Sequence, residues 1–524
     1  MDRLILPIGE EYIDYLRDES RHSGTADSIS FPRDEEELRR VMALMYGRGV
    51  PVTLQGGRTG LAAGAVPNGG HIVNLSRMDR VLALREDDGR FRITVQPGMP
   101  LCELRRQLAL RRPEIAAPDP ESLRALSALA AAPEQFFTPD PTETTAALGG
   151  MASCNSSGAR TYLYGPTRPH ILGLHLVLTD GDLLTLSRGE VFAKGRKLVL
   201  TTAGGRTLDI QLPSYTMPEC KNASGYYVKD DMDAIDLIIG SDGTLGVISQ
   251  LELALLPLPE NICGLTCFMP SEEQTLSLVE AVRRQADRVA AVEYFDRGVM
   301  DLLAWRQTWD KSVNDIPPLP GGLRHAVYFE LHCENREQVM SRLAFLSRLM
   351  EDCGGDSRLT WAGWNQRDLQ RLHAFRHTVP ESANLVIDER KRTWPKLSKC
   401  SADMAVPDAK LRDVMALYRQ GLAEEKLQAA IWGHIGNNHV HVGILPRDME
   451  EYERAQALIR RWARQVSDWG GAVSAEHGIG KSKRALLTIM YGKEQVAQMA
   501  AVKRVFDPKG LLSPGNLFIT EQTT

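Results

Sequence analysis

The 524-residue sequence lacks the features that mark several classes of protein. No stretch approaches the roughly 18 consecutive apolar residues of a membrane-spanning helix, so any membrane contact is expected to be peripheral, as at an inner membrane. No block of basic residues is available to cover phosphates, and 62 Lys and Arg stand against 67 Asp and Glu, for a net charge of -5. A nucleic-acid partner is therefore not expected.

Cysteine is scarce and scattered, which excludes two kinds of metal site. The eight cysteines stand at positions 102, 154, 220, 263, 267, 333, 353 and 400, without a CxxC pair. Neither an iron–sulfur cluster nor a zinc knuckle is expected within this chain. The opening MDRLILPIGEEYIDYLRDES fits neither a signal nor a transit peptide, so the thiols are interpreted as reduced ones in a cytoplasmic protein.

Two common nucleotide-binding motifs are also missing. No GxGxxG fingerprint occurs, so a nicotinamide cofactor on a Rossmann unit has no support. Gly480-Lys481-Ser482 ends like a P-loop, but Ala475 stands where that motif requires glycine. The sequence therefore gives no reason to expect an ATP or GTP site.

What the sequence does contain is the material of a globular α+β protein. Hydrophobic residues make up 43% and charged residues 25%, and the length predicts about three compact units. Glycine-rich segments with short apolar runs precede the Pro257 to Asn261 region, and longer helices alternating with strands follow it. We predict domains at 1–260 and 261–500, a docked segment at 501–524, and a loop-rich connection from Ala116 to Pro141.

Three glycine-rich segments before residue 260 carry the first functional signal. The first glycine segment is Gln55–Gly60, the second is Asp140–Gly158 followed by Tyr164 and Gly165, and the third is Gly240–Ile248. Glycines let the backbone approach a bulky anion with its amides pointing inward, which suits a phosphate or pyrophosphate. One such segment alone is more often a tight turn, whereas three together favour a cofactor site.

In order and spacing, these segments resemble the flavoproteins of the vanillyl-alcohol oxidase type, also called the PCMH FAD-binding fold. The resemblance covers roughly residues 30 to 258 and implies a two-lobed FAD-binding domain. Arg58 and Thr59 occupy the stretch in which some members tether the flavin through histidine, which implies noncovalent FAD. The residues implied to bind it are Gly56, Gly57, Arg58, Thr59, Gly60, Leu61, Pro139, Asp140, Gly149, Gly150, Ser153, Asn155, Ser156, Gly158, Tyr164, Gly165, Gly243, Gly246, Val247 and Ile248.

The second signal is a concentration of histidines. Four of the chain's 12 lie within residues 434 to 477. His434 and His441 are expected to come level across a hairpin, and Glu476 offers a carboxylate, a set that suits zinc, manganese or iron and leaves coordination positions open. His439 has no evident partner in the sequence and is expected at the surface or behind the ligands. For each histidine alone, a hydrogen-bonded core or loop position would be the more common outcome.

These motifs narrow the resemblance to the FAD- and metal-dependent 2-hydroxy-acid dehydrogenases, which include D-lactate dehydrogenase, D-2-hydroxyglutarate dehydrogenase and the glycolate oxidase flavin subunit. GHIGxxxxH, SAEHGIG and DPKGLLSPGNLF are similar to that group's motifs. Carried over, they imply His434, His441 and Glu476 as metal ligands and His477 as catalytic base. The segment Phe375–Glu381 implies that Arg376 binds the substrate carboxylate, with Lys399 a second candidate for that role.

The expected activity is oxidation of a small 2-hydroxy acid to the 2-keto acid by hydride transfer to FAD. Gly443 stands where some members have a substrate-binding Asn, so the particular acid is left open. Electrons would pass to an external acceptor, namely a quinone, a cytochrome, an electron-transfer flavoprotein, an iron–sulfur partner subunit or oxygen, and a homodimer is possible. Two alternatives stay open: a flavin-dependent transferase of the alkylglycerone-phosphate synthase type, and a subunit that only relays electrons.

Overall fold

The computed structural model describes residues 4–519 except 314, 315, 317, 318, 323 and 324. The strands are β1 (Leu6–Pro7), β2 (Ser28–Ser30), β3 (Val52–Gln55), β4 (His71–Asn74), β5 (Val81–Asp87), β6 (Arg90–Val95), β7 (Gln135–Phe136), β8 (Ile171–Val177), β9 (Leu183–Ser187), β10 (Lys197–Thr201), β11 (Thr207–Gln211), β12 (Val247–Ala254), β13 (Leu256–Pro257), β14 (Asn261–Met269), β15 (Val289–Phe295), β16 (His325–Cys333), β17 (Trp361–Gly363), β18 (Cys400–Ala405), β19 (Ala429–Gly433) and β20 (His439–Ile444). The helices are α1 (Glu35–Arg48), α2 (Leu101–Ala109), α3 (Pro120–Ala131), α4 (Leu148–Cys154), α5 (Thr161–Tyr164), α6 (Ile235–Ile238), α7 (Glu272–Gln285), α8 (Arg297–Gln307), α9 (Arg336–Asp352), α10 (Gln366–Arg390), α11 (Leu411–Glu424), α12 (Met449–Asp468) and α13 (Arg484–Phe506).

The first lobe is built on a four-stranded sheet in the order β1-β2-β4-β3, with parallel pairing of β2 and β3 to β4. Helix α1 begins at Asp34, whose side chain accepts a hydrogen bond from the Glu37 amide, and it is followed by Gly49 in the left-handed region (φ 67°). An aspartate just before a helix can accept a hydrogen bond from a first-turn amide that has no partner within the helix. The helix buries Leu38, Val41 and Met42 against this sheet.

The second lobe is a five-stranded antiparallel sheet in the order β5-β6-β12-β8-β9. Its central strand, β12, alternates buried and partly buried residues after a fully buried start, which is the pattern of a strand with one face on the core and the other partly exposed. A separate hairpin, β10–β11, alternates exposed and buried side chains. The two sheets match the two-lobed arrangement that the sequence predicts.

The third layer is a seven-stranded antiparallel sheet in the order β17-β14-β16-β15-β19-β20-β18. The alternation of strands with longer helices that the sequence predicts after residue 260 is present, and α11 and α12 are two of these helices. Helix α12 buries Leu458, Trp462 and Val466 on one face, as its apolar spacing predicts. The predicted α+β class is confirmed, while the boundaries at 260 and 500 stay predictions.

One expectation is wrong in part. The Ala116 to Pro141 stretch is not all loop, because it contains helix α3. Asp119 accepts a hydrogen bond from the Ser122 amide, and Pro120 takes the first helical position, where its missing N–H costs nothing. The alanines that suggested a loose connection are the strongest helix formers, so this stretch has a proper helix start and a helical interior.

The closing segment is docked on the first lobe. Leu512 forms a parallel bridge to Val52, and the Ser513 amide donates to the Val52 carbonyl at 2.7 Å. Buried Lys503 supports this contact by donating to the Asp507 carboxylate and to the Leu512 carbonyl, both at 2.8 Å. The tail therefore extends the edge of the β1–β4 sheet. Within the described part of the chain, no helix is long and apolar enough to cross a bilayer.

Candidate functional site

The three glycine segments meet in space. In the third segment, the Gly240 amide donates to the Ala152 carbonyl at 2.9 Å and the Asp242 amide to the Ser153 carbonyl at 2.8 Å, which ties it to helix α4 of the second segment. The first segment lies against the same region, since a Cβ on Gly57 would come within 2.7 Å of the Thr145 carbonyl. The three segments therefore pack against one another.

Features of this meeting point fit a bulky anionic group. A Cβ on Gly60 or Gly150 would meet no atom within 4 Å, so bare backbone borders open volume at both positions. The hydroxyl of Ser157 is buried and has no hydrogen-bond partner among the described residues. Buried polar atoms without a partner commonly mark a missing ligand or water.

The other predicted cofactor residues differ in their contacts and in their exposure. Arg58, in the left-handed region (φ 60°), turns its guanidinium over the Tyr15 ring at 4.5 Å, towards the amino-terminal segment. Asp140 is held by Arg105 at 3.0 Å, and the Tyr164 hydroxyl reaches His332 Nδ1 at 2.7 Å. Thr59 is half-buried and Leu61 is exposed; Pro139 is buried, Ser156 is half-buried, and Val247 and Ile248 are buried within β12 beside Gly246.

The docked tail also reaches this region. Asn516 Nδ2 donates to the Gly64 carbonyl at 3.2 Å and to the Asp242 carbonyl at 3.1 Å. Its Oδ1 accepts from Lys481 Nζ at 2.9 Å. The Asn516 side chain therefore joins the loop after the first glycine segment to the third segment.

The histidines are positioned by the β19–β20 hairpin and the loop after α12. The expectation that His434 and His441 come level across the hairpin is wrong in register, because Trp432 pairs with His441. His434 lies just past the end of β19, where a 3-10 turn over Ile435–Asn437 reverses the chain. The turn still brings the two rings together, with centroids 5.4 Å apart.

His434 is held between two carboxylates. Its Nδ1 lies 2.7 Å from Glu293 Oε1 and its Nε2 lies 2.9 Å from Glu476 Oε2. Burial opposes protonation of this ring, but the two carboxylates outweigh it and raise the pKa of His434 to about 9. A divalent cation could replace that proton between Nε2 and Glu476, because both are ligand atoms for zinc and similar metals.

His439 is fully buried, which excludes the first of its two expected positions, the surface, and leaves the position behind the ligands. Nε2 lies 2.7 Å from Asp403 Oδ1, while Nδ1 lies 3.7 Å from Glu476 Oε2 and has no hydrogen-bond partner in the described part of the chain. Burial, reinforced by the nearby Lys221 ammonium, lowers the pKa of His439 to about 4. The imidazole is therefore neutral at physiological pH, as a metal ligand must be.

His441 and His477 stack face to face, with centroids 5.0 Å apart and planes 8° apart. His477 Nδ1 lies 3.3 Å from Asp403 Oδ2, and the His477 amide donates to the same oxygen at 3.0 Å. Burial lowers the pKa of both imidazoles. Ser474 and Lys483 complete the shell around Asp403, at 2.9 Å and 2.8 Å from Oδ2.

Four of these side chains form what we call the ligand group: one ligand atom each from His434, His439, His441 and Glu476, all within 4.8 Å of one another. Two imidazole nitrogens of the group, Nδ1 of His439 and Nδ1 of His441, are buried without hydrogen-bond partners among the described residues. Nitrogen and carboxylate donors at this spacing fit a divalent transition metal. Asp403, His441 and His477 form a second, overlapping set.

The two predicted substrate-binding cations lie on different elements. Arg376, on α10, has its guanidinium 4.8 Å above the Tyr328 ring, and its Nε is buried without a partner among the described residues. Lys399, at the start of β18, has its ammonium 5.8 Å from the Trp432 ring centroid and forms no ion pair with any described residue. Burial lowers the pKa of Lys399 to about 8. Both cations are thus available to an anion.

Three charged residues of the site escape prediction from the motifs. Glu293 and Asp403 stand inside the apolar strands β15 and β18, and a buried carboxylate in such a strand is itself a sign of a functional role. Lys221, whose ammonium lies 3.1 Å from Glu476 Oε2, comes from an irregular stretch with no local signal. An arginine beside the second glycine segment, Arg160, also pairs with buried Glu330 of β16 at 2.7 Å.

Comparison with known proteins agrees with this geometry. Residues 258–517 match the model of the C-terminal domain of FAD linked oxidases, and residues 26–125 and 120–187 match an FAD binding domain. The chain is 26% identical to a probable mitochondrial D-lactate dehydrogenase of Danio rerio, over 97% of this chain and 87% of that protein.

Two further proteins extend the comparison. A D-2-hydroxyglutarate dehydrogenase of Stutzerimonas stutzeri is 25% identical, over 96% of this chain and 94% of that protein. A solved alkyldihydroxyacetonephosphate synthase shares the fold with a TM-score of 0.64 at 14% identity, covering 98% of this chain and 82% of that one. The two matched models together cover residues 26–187 and 258–517, and this chain belongs to the FAD-linked oxidase family.

Proposed function

We propose that this enzyme oxidises a 2-hydroxy acid to the corresponding 2-keto acid, with noncovalent FAD as hydride acceptor and a divalent metal at the ligand group. The observation that carries the proposal is the pairing of His477 with Asp403 directly beside the ligand group. Relatives named D-lactate and D-2-hydroxyglutarate dehydrogenases support this substrate class and favour the D configuration.

The glycine segments are the proposed FAD site. When bound, FAD would supply a two-electron acceptor for the hydride on the substrate α-carbon. Gly60 and Gly150 expose backbone to the cofactor, and Ser157 offers a buried hydroxyl. Arg58 points towards Tyr15, which is consistent with noncovalent binding.

His434, His441 and Glu476 are the proposed metal ligands. When bound, a divalent metal would act as a Lewis acid on the α-hydroxyl and lower its pKa. Glu293 holds the outer nitrogen of His434 at 2.7 Å, which fixes the ring with Nε2 towards Glu476. Such carboxylate support of a metal-binding histidine is a common arrangement.

The chain's own residues divide the remaining work. His477 Nδ1 lies 3.3 Å from Asp403 Oδ2, so we assign Nε2 as the atom that takes the proton of the α-hydroxyl. Because burial lowers the pKa of His477, the ring is unprotonated near neutral pH. Arg376 would bind the substrate carboxylate through two parallel hydrogen bonds, with Lys399 as a second cation.

A panel of D- and L-2-hydroxy acids, scored by anaerobic bleaching of the flavin absorbance, tests this function. Bleaching by a D-2-hydroxy acid, with formation of the 2-keto acid, is the expected result. A transferase without net redox chemistry would leave the spectrum unchanged through the whole panel. Recovery of the oxidised-flavin absorbance on adding a quinone, a cytochrome, an electron-transfer flavoprotein or oxygen would then identify the external acceptor. The homodimer stays a prediction.

A further inference from the structure

His439 is a buried histidine with an unused nitrogen that faces the ligand group. Its side chain is fully buried, and Nδ1 has no hydrogen-bond partner among the described residues. Leaving such a nitrogen unpaired in a protein interior is costly, so a partner of another kind is to be expected. Nδ1 lies 3.7 Å from Glu476 Oε2, a distance that leaves room for a cation bound to both atoms.

The other ring nitrogen determines which tautomer His439 adopts. Nε2 lies 2.7 Å from Asp403 Oδ1. An ionised carboxylate can only accept a hydrogen bond, so Nε2 carries the proton and Nδ1 carries the lone pair. The structure therefore prepares Nδ1 as a donor atom before any metal binds.

The sheet register places this lone pair beside the other ligands. His439 and His441 are two residues apart on β20, so their side chains project from the same face. The His439 ring centroid lies 5.3 Å from that of His434 and 4.6 Å from that of His441. On the same face, the neighbouring strand β18 places Asp403 directly across from His441 and Ala405 across from His439.

We propose that His439 is a fourth protein ligand of the metal, through Nδ1, so that three imidazoles and one carboxylate bind the ion. The inference rests on the proposed metal-dependent function and deepens it. It also makes Asp403 a counterpart of Glu293, because each carboxylate supports one metal-binding histidine. A nitrogen-rich set favours zinc, iron or cobalt over magnesium and calcium, which prefer oxygen donors.

The experiment uses FAD-loaded enzyme stripped of metal by a chelator and titrated with zinc against a competing chromophoric chelator. His439→Asn shortens the side chain so that it no longer reaches the ion, while an amide remains near Asp403. We expect its zinc dissociation constant to rise at least about a hundredfold, since even loss of a residue supporting a ligand typically costs 10- to 100-fold. His325→Asn is the matched control, because His325 pairs with Tyr294 outside the ligand group and should leave zinc affinity unchanged.

X-ray absorption of the zinc-loaded wild type gives a second readout that needs no variant. Three imidazoles per zinc are expected in the wild type, and two in His439→Asn. Two imidazoles in the wild type, or an unchanged zinc affinity in His439→Asn, would overturn the assignment of His439 while leaving the other ligands in place. Absence of stoichiometric zinc, iron, manganese or cobalt binding by the wild type would overturn both this assignment and the proposed metal dependence.

Discussion

The carboxylate of Asp403 contacts His477 twice: Oδ2 accepts a hydrogen bond from the His477 amide at 3.0 Å and lies 3.3 Å from its Nδ1. The first contact fixes the backbone, and the second places the carboxylate beside Nδ1 of the ring. The same arrangement orients the base in hydrolytic triads, where the carboxylate acts by positioning the histidine. His477 therefore presents Nε2 in a fixed direction beside the ligand group.

Replacing His477 with Ala should lower kcat by about a hundredfold or more, because a positioned general base typically contributes 10²- to 10⁴-fold. FAD content and zinc affinity should stay near those of the wild type, since His477 is outside the ligand group. Steady-state kinetics with the best 2-hydroxy acid, beside flavin absorbance, measure both. Undiminished turnover in this variant would refute the role of His477.

Asp403→Asn should lower kcat by roughly 10- to 100-fold, the usual cost of losing a residue that orients a ligand or base. The amide lacks the charge that balances Lys483 and can no longer accept from both His439 and His477 through equivalent oxygens. The kcat and the zinc content of the variant should both fall. The exposed Asp413→Asn on α11 is the control and should behave as the wild type. Normal kinetics with normal zinc content in Asp403→Asn would contradict this positioning role.

Removal of the metal should abolish turnover without releasing the flavin, because the ligand group and the glycine segments are built from different side chains. Activity should return on adding back zinc, manganese or iron, and the metal that restores it identifies the physiological ion. Turnover is measured before chelation, after complete metal removal and after reconstitution. Full activity in enzyme shown by elemental analysis to be metal-free would exclude metal-assisted catalysis.

Gly443→Ala should disturb the active site through Trp432. A Cβ at position 443 would lie 2.8 Å from the indole ring, so the ring must move, and it borders both His441 and Lys399. We expect at least a several-fold fall in kcat/KM. Gly47→Ala is the control, since a Cβ there meets nothing within 4 Å and helix α1 tolerates alanine. Equal kinetics in the two variants would show that the indole does not shape the site.

Acid should weaken the first lobe through His71. Burial lowers the pKa of this histidine to about 4, and both of its nitrogens lie 2.9 Å from serine hydroxyls, those of Ser28 and Ser30. The pKa of His71 is lower in the folded state than in the unfolded state, so acid favours the unfolded state. The stability that the neutral ring contributes above about pH 6.5 is lost as the pH falls towards 4. Between pH 7 and 5 the loss is about 2 kcal/mol.

Urea unfolding at the two pH values measures this effect. The urea concentration at the unfolding midpoint should fall less between pH 7 and 5 in His71→Gln than in the wild type, because glutamine does not titrate. The exposed His22→Gln should keep the full pH dependence. An identical acid shift in wild type and His71→Gln would locate the acid sensitivity elsewhere.

Local sequence spacing was enough to predict the fold class, the glycine segments and most members of the ligand group. It could not predict Glu293 and Asp403, because their strands meet β19 and β20 only through the register of the seven-stranded sheet. It also could not give His439 a partner, because Asp403 is distant in sequence. Trp432 opposite His441 shows the same limit, since a hairpin turn of different length would have paired His434 there.

The bridge between Val52 and Leu512 has a consequence for how the protein is made. The edge strand of the first lobe receives its last partner from a segment that is synthesised 460 residues later, since Val52 pairs with Leu512. During synthesis the first lobe therefore stays incomplete, and the hydrogen-bonding edge of β3 is exposed while the seven-stranded sheet forms. We expect flavin capture to be a late event in biogenesis, and chains interrupted before residue 511 to aggregate.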